Sequence, residues 1–347
     1  MATLKEVAKR ARVSAGTVSH VLSGNTPVSP ALRKRVQDAI AALDYCPDHV
    51  ARSLKTGRTK TVGIVIPDIT NPFFPQIIRG AESVFWGRDY SLLTLNTDDD
   101  LERERRALAF LRSRQVDGVL LIIAPNRGDV SHIRRTLEAG VPVVCLDRES
   151  EGLEDVDSVS VDDMAAAKEC VSHLIAMGHR EIAMLTGRLS LNNVRERVKG
   201  YKEALCEAGI PSVPELIKEG DFRKGTGTRL CHEAFAAKRG RPTALFISNM
   251  LMTMGALEAL TELGVRCPED VAVATFDGFA LPAFFRPAIT AVVQPVYEIG
   301  RLGAEMLLQR LDGGTQPPPV HRKLAAELQV RESTLRAFNN TLAPARK

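Results

Sequence analysis

The sequence predicts an α/β protein in which a small helix-turn-helix headpiece precedes a two-lobed core of parallel sheets. Three observations carry this. Three helix-start signals crowd into the first 45 residues, apolar runs alternate with helical patterns from Thr61 onward, and charge is divided unevenly between the two regions. Residues 1–60 hold eleven Lys or Arg against four Asp or Glu, a net +7, so with +4 overall the remaining residues carry −3. A basic module on a mildly acidic body suits a polyanion partner, because phosphate neutralisation supplies the sequence-independent part of nucleic-acid affinity.

At 347 residues and 44% apolar composition, the chain has material for two or three compact domains. Its start, "MATLKEVAKR", is amphipathic rather than an export signal, and no segment approaches the roughly 20 apolar residues of a membrane span. A cytoplasmic protein without a membrane partner is expected. Cys46, Cys145, Cys170, Cys206, Cys231 and Cys267 are scattered without a C-x-x-C pair, which fits free thiols better than disulfides or zinc. Cys231-His232 has no partner pair and reads as an ordinary helix position, so neither metal nor cofactor is expected.

Thr3-Leu4-Lys5-Glu6 is a capping box that launches a helix to about Ala11. Ser14 caps a second helix over Ala15 to Leu22, and the short link between them suits helix-turn-helix rather than antiparallel packing. Ser29-Pro30 opens a third, with Leu32, Val36, Ile40 and Leu43 at helical spacing. The start of the second helix is the part that meets base edges in such a motif. Ala15 and Gly16 permit close approach, and Thr17, Ser19, His20 and Asn25 can reach bases or phosphates; the capping residues Thr3 and Ser14 complete the DNA-facing set. Beyond them "HVARSLKTGRTK" sets Leu54 inside a basic run, beside Lys55.

From Thr61 the runs "TVGIVIP", "SLLTLNT", "GVLLIIA" and "VPVVCLD" lack clean alternation, the mark of parallel strands covered on both faces. Leu101 to Arg114 and Asp129 to Ala139 read as crossover helices. After Val161-Asp162 the rhythm restarts: Met164 to Met177, "IAMLTG", Val194 to Ala208, "LIKEGD", Gly225 to Ala237, "ALFISN", Met250 to Leu263 and "VAVATFD". Open parallel sheets bind ligands beyond the carboxyl ends of their strands. Polar residues gather there: Asp68 and Asn71, Asp147-Arg148, Asp221-Phe222, Ser248-Asn249 and Asp277. Phe73 and Phe74 can stack on a ring, Asp277 can accept from hydroxyls, and Arg197 can donate a bidentate pair.

"TLKEVAKRARVSAGTVSHVLSGN", "VSPALRKRV", "YCPDHVARSLKTGRTKTVGIVIPDITNPFF" and "GHREIAMLTG" together resemble the lactose-repressor (LacI/GalR) family of bacterial transcription regulators over residues 2 to about 333. The resemblance implies a headpiece over 1–46, a hinge helix and linker over 47–60 and a periplasmic-binding-protein-like core over 61–333. It divides the core into a first lobe of about 61–161 and 292–322 and a second of about 162–291 and 323–333, with "ITAVVQP" and Val296 to Leu311 returning to the first lobe. A flexible tail of 334–347 follows. It also implies that Leu54 wedges into the central base step of an operator with Lys55 beside it, the hinge helix ordering only on DNA; nine residues are indeed too few for a stable isolated helix. Effector contacts implied by the family fall on Phe73, Phe74, Asp147, Asn193, Arg197, Phe222, Asn249 and Asp277, to which the strand-end reading adds Asn71 and Arg148.

Asn249-Met250 stands where the family often has Asn-Asp, and Leu191 occupies a position that is arginine in the purine-binding member. A sugar or sugar derivative is therefore favoured over a purine, with Arg148, Arg188 and Arg195 leaving a phosphorylated ligand open. Thr26 departs from the family at a base-contacting position. No G-x-S-x-G, H-E-x-x-H or Walker loop is present, so an enzyme is not expected. The alternatives are a solute-binding protein or a carbohydrate-acting enzyme of similar two-lobed shape. The tail "ESTLRAFNNTLAPARK" holds too few heptads for a tetramerising coiled coil, which points to a homodimer on double-stranded operator DNA.

Overall fold

The computed structural model describes residues 2–23, 27–45, 57–236, 241–277, 286–313 and 318–335. The chain divides into two compact units, 1–59 and 60–347. In the first, α1 (Leu4–Ala11), α2 (Ala15–Ser23) and α3 (Pro30–Ala42) form the headpiece. The Thr3 hydroxyl accepts from the Glu6 amide while the Thr3 amide donates to Glu6 Oε2 at 2.7 Å, and these bonds to Thr3 hold the Glu6 carboxyl below its ordinary pKa. Arg12 ends α1 in the left-handed region. Val7, Ala8, Ala11, Val18, Val36 and Ala39 make a small core, and Arg35 of α3 donates to the Ala11 and Arg12 carbonyls, tying α3 to the end of α1.

The second unit contains two six-stranded sheets. β1 (Thr61–Ile66), β2 (Ser91–Asn96), β3 (Gly118–Leu121), β4 (Val143–Leu146) and β5 (Asp157–Val161) form the first, with α4 (Phe73–Trp86), α5 (Leu101–Ser113) and α6 (Ser131–Glu138) between strands. The second holds β6 (Ile182–Thr186), β7 (Ile217–Glu219), β8 (Ala244–Ile247), β9 (Ala272–Phe276) and β10 (Thr290–Val293), with α7 (Asp163–Ala176), α8 (Asn192–Glu207), α9 (Lys224–Phe235) and α10 (Met250–Glu262). α11 (Val296–Leu311), β11 (His321–Leu324) and β12 (Glu327–Gln329) complete the core. The orders are β11-β5-β4-β3-β1-β2 and β12-β10-β9-β8-β6-β7. Every pairing is parallel except β10 with β12.

The central strands β3, β4, β8 and β9 are buried throughout, as continuous apolar runs require. β2 is different. It lies at a sheet edge, and none of its six residues is fully buried, so "SLLTLNT" is not covered on both faces as its composition suggested. The chain passes between lobes three times: after β5, after β10 and between β11 and β12. The second passage falls later than the sequence reading placed it, because β10 pairs with β9 and β12 and only α11 returns to pack on α4 and β4. β11 likewise keeps the chain in the first sheet to Leu324.

Where helices meet, glycine lets backbones touch. A Cβ at Gly80 would strike the Tyr297 carbonyl and one at Gly300 the Ile77 carbonyl, so α4 and α11 approach through glycine on both sides; α7 and α8 meet at Gly200. At the far end Ser333 and Thr334 are buried, with Thr334 bonded to His173 and Thr290. The core thus reaches past the expected start of the tail at 334. Linker residue Lys60 also belongs to the core: its amide donates to Asp117 and its ammonium lies 4.2 Å from the centre of the Tyr90 ring.

Candidate functional site

All ten expected effector residues line one cavity between the lobes: Asn71, Phe73, Phe74, Asp147 and Arg148 from the first, Asn193, Arg197, Phe222, Asn249 and Asp277 from the second. The free space it leaves is about 20 Å³, room for about one water. Gln294, which follows β10, lines it too and was missed by the sequence reading; the signal available was a polar residue between a strand end and Pro295. Asp147 and Asp277 occupy matching places, each following the fourth-numbered strand of its sheet directly. Both, and Phe222, have left-handed backbone (φ 62°, 64° and 66°), a conformation that costs about 1–3 kcal/mol for a residue with a side chain and that clusters at functional sites.

The charges inside are held by short bonds. Arg197 on α8 donates Nε to Asp163 (2.6 Å) and Nη1 to the Ser248 carbonyl (2.7 Å), and its guanidinium stacks 3.8 Å over the Phe276 ring. The bidentate pair expected for a ligand is therefore already engaged by protein, leaving Nη2. Burial works against the Arg197 cation, but Asp163, Asp277 and Asp147 outweigh it and hold its pKa above the ordinary value. Burial pushes Asp163 up to about 7 and Asp277 up to about 6, against the opposing pull of Arg197; Asp147 is also raised by burial. Gln294 donates to Asp277 Oδ1, and Asn193 to Asp147 at 3.4 Å.

Arg148 is 3% exposed, with Nη1 fixed by Asp99 and by the Ile123 carbonyl (2.9 Å). Its Nε and the Gln294 Oε1 are buried polar atoms without a hydrogen-bond partner. A buried donor and acceptor left unpaired carry a desolvation penalty of about 1–3 kcal/mol each, which a ligand's polar groups would relieve. Asn249 caps α10 by accepting from Met252 and donates to the Phe222 carbonyl (2.9 Å); Asn71 accepts from the Phe73 amide. Both asparagines thus shape the walls as well as face the cavity.

In the headpiece Ser14 Oγ accepts from the Thr17 amide (3.1 Å) and lies 2.9 Å from the Thr17 hydroxyl. Thr3, Ser14, Ala15, Gly16 and His20 are exposed, and Thr17 and Ser19 partly so. A Cβ at Gly16 would meet only Ser14 Oγ, at an ordinary 3.6 Å. Asn25, Thr26, Leu54 and Lys55 lie outside the described residues. Cys231 is buried and His232 pairs with Glu262 at 2.8 Å. Among the described residues no three His, Cys, Asp or Glu side chains could hold a metal, and no helix is long and apolar enough to cross a membrane.

Residues 3–48 match the family of bacterial regulatory proteins of lacI type, and residues 171–334 match the periplasmic binding protein-like domain. The chain is 34% identical to the HTH-type transcriptional repressor PurR of Aliivibrio fischeri over 344 residues, 99% of this chain and 100% of that one. It is similar to the solved transcriptional regulator CelR–cellobiose complex, with 33% identity, a TM-score of 0.71, and 96% and 100% of the two chains covered. It also resembles the Lac repressor dimer bound to operator and the anti-inducer ONPF, with 26% identity, a TM-score of 0.83 and 96% and 99% coverage.

Proposed function

The chain belongs to the lacI family of bacterial regulatory proteins, and from that premise we propose that it is a cytoplasmic homodimer whose grip on an operator is set by a polyhydroxylated small molecule in the inter-lobe cavity. The observation that carries the ligand reading is the pairing of unmet buried groups: the Arg148 donor and the Gln294 acceptor, with the carboxylates Asp147 and Asp277 beside Phe73, Phe74 and Phe222. Carboxylates accept from hydroxyls, arginine donates to ring oxygens, and aromatic faces cover the apolar side of a sugar. As it stands the cavity leaves about 20 Å³, far below the roughly 300–1,000 Å³ of drug-sized sites, so the lobes must part to admit a ring. Calorimetry on the whole protein with sugars and nucleobases tests this. Sugar binding that Asp277→Asn weakens is expected, and tight binding of a purine alone overturns it. A purine is the second reading, favoured by the likeness to PurR.

The headpiece reads one half-site, with the start of α2 in the major groove and Leu54 and Lys55 of the hinge in the minor groove. Gly16 supports this. Neither packing nor a left-handed backbone demands glycine there, although glycine weakens a helix by about 1 kcal/mol relative to alanine. Close approach of DNA explains it. Gly16→Ala should raise headpiece stability in a thermal melt yet weaken operator binding in a filter assay; unweakened binding removes Gly16 from the interface. Pairing of two chains is supported by β2, an edge strand that exposes Leu93 where a monomer would normally place charge. Effector binding alters the lobe angle and so the ordering of the hinges, acting only as strongly as its differential affinity for the two states.

A further inference from the structure

Glu104 on α5 is fully buried, yet it lines neither the cavity between the lobes nor its mouth. Its Oε2 accepts from the Ala124 amide at 2.5 Å, and its Oε1 lies 2.6 Å from Nε2 of His132 on α6, itself buried. The Ala124 amide and the Ile123 carbonyl belong to one peptide unit, and that carbonyl accepts from Arg148 Nη1 at 2.9 Å. Glu104 and Arg148 thus hold opposite sides of the same planar group. We infer that Glu104, backed by His132, is a positioning residue for effector recognition: it fixes the Ile123–Ala124 peptide plane, and through it the direction in which Arg148 presents its Nε to the cavity. The role in recognition rests on the proposed reading of Arg148 as a ligand-facing donor.

Three features support it. The first is covalent geometry. A trans peptide is rigid about its C–N bond, so its N–H and C=O point in opposite directions and cannot be aimed independently. With the amide gripped by Glu104, the carbonyl is turned toward Arg148, and the bond at one end polarises the unit so that the acceptor at the other end strengthens. Ala124 is 1% exposed, so loss of Glu104 would strand its amide, a cost relieved only by rotating the plane or admitting water. Second, Glu104 is itself held still. His132 Nδ1 is buried without a hydrogen-bond partner, so the polar contact of that imidazole is the one with Glu104, and Arg112 of α5 donates to Thr136 of α6 (2.9 Å), tying the two helices together. Third, the start of α5 grips Arg148 by two routes. Asp99, just before the N-cap Asp100, takes Nη1 directly, and Glu104 supplies the second acceptor for the same nitrogen through the peptide.

Heteronuclear NMR of the full-length protein labelled on its arginine nitrogens tests the inference, because a buried, clamped guanidinium gives a slowly exchanging Nε–H signal and distinct Nη signals. Arg148→Lys identifies the Arg148 resonances, and Arg197 in the second lobe is the internal control. Glu104→Leu should speed exchange of the Arg148 Nε–H by about tenfold or more and merge its Nη signals, leaving those of Arg197 unchanged. Glu104→Gln keeps an oxygen for the Ala124 amide and a polar group for His132, and should restore the unsubstituted pattern. Arg148 signals untouched in Glu104→Leu, or Arg197 signals altered as much, make Glu104 a packing residue only and overturn the inference; so does Glu104→Gln behaving like Glu104→Leu. If Glu104→Leu does not fold, two measurements stand in for it. His132→Leu should move the same signals in the same direction, and in the unsubstituted protein the Ala124 amide should exchange about a hundredfold slower than exposed loop amides. A fast Ala124 amide overturns the inference with no variant at all. Failure of the ligand reading looks different: the Arg148 signals respond as expected, but Arg148→Lys leaves calorimetric binding of every sugar and nucleobase unchanged, which removes the role in recognition.

Discussion

In the first lobe the buried arginine, Arg148, sits on the loop after β4 with Nε 3.8 Å from Asp147 Oδ2 and no hydrogen bond; in the second, Arg197 sits on α8 with Nε and Nη1 both hydrogen-bonded. The strand orders of the two sheets match, and Asp147 and Asp277 occupy matching places. What differs is how the positive charge is held. Arg197 is locked into a network with Asp163, Ser248 and Phe276, and its removal would leave the buried Asp163 without its cation. Arg148 shares its charge with Asp99, which is 17% exposed and open to some solvent relief, and at a longer 3.8 Å with Asp147. A repeated frame has thus been furnished asymmetrically, one side for rigidity and the other with a donor in reserve.

The largest test of that division is stability. Arg197→Ala should lower the unfolding free energy by about 3–5 kcal/mol in urea titrations, the usual result of breaking a buried ion pair from one side. Arg148→Ala should lower it less while abolishing ligand binding, and equal losses would erase the distinction between the lobes. A second comparison concerns helix contacts. Gly80→Ala and Gly300→Ala should each destabilise by about 1–3 kcal/mol through overpacking between α4 and α11. Gly200→Ala, whose Cβ would come within 2.2 Å of the Met164 carbonyl oxygen on α7, should fall in the same range. Thermal melts of the three variants rank them directly.

The smallest effect is in pH. An unfolded aspartate releases its proton near 3.8, whereas Asp277 holds it to about 6 and Asp163 to about 7. The native state therefore binds more protons in that window, and ligand-free stability should fall as pH rises from about 4 to about 7. Affinity for a hydroxylated ligand should move oppositely, since an ionised Asp277 is the better acceptor: about tenfold weaker at pH 5 than at pH 7. Asp277→Asn should flatten the affinity profile. A flat profile in the unsubstituted protein would show that Asp277 does not titrate against the ligand.

The parts of the fold legible in the sequence were those in which local chemistry and burial agree. Thr3-Glu6 and Ser29-Pro30 start helices where they should, and "GVLLIIA" and "VPVVCLD" are buried strands. β5 was not legible: three of the five residues in "DSVSV" are polar, yet all five are buried, because Asp157 pairs with Arg310 and the Ser158 and Ser160 hydroxyls share Glu149. β11, "HRKL", is a mostly exposed edge whose strand character comes only from its pairing with β5. In the cavity, strand-end position and family resemblance together picked out the lining, but not the partners behind it. Asp163 and Asp99 lie on other elements, and nothing local marks them as the groups that would engage Arg197 and Arg148.

The three passages of the chain between lobes bear on how the protein is made. β11 and β12, the outermost strands on one side of each sheet, come from residues 321–329, so neither sheet is whole until those residues have been made. Translation at about 5–20 residues per second leaves the β5 and β10 edges of the nascent chain uncovered until residues 321–329 emerge. Unpaired edges are templates for aggregation, which makes the wait for residues 321–329 a point of vulnerability in biosynthesis. A message truncated before codon 321 should yield insoluble product, whereas one ending after codon 335 should not.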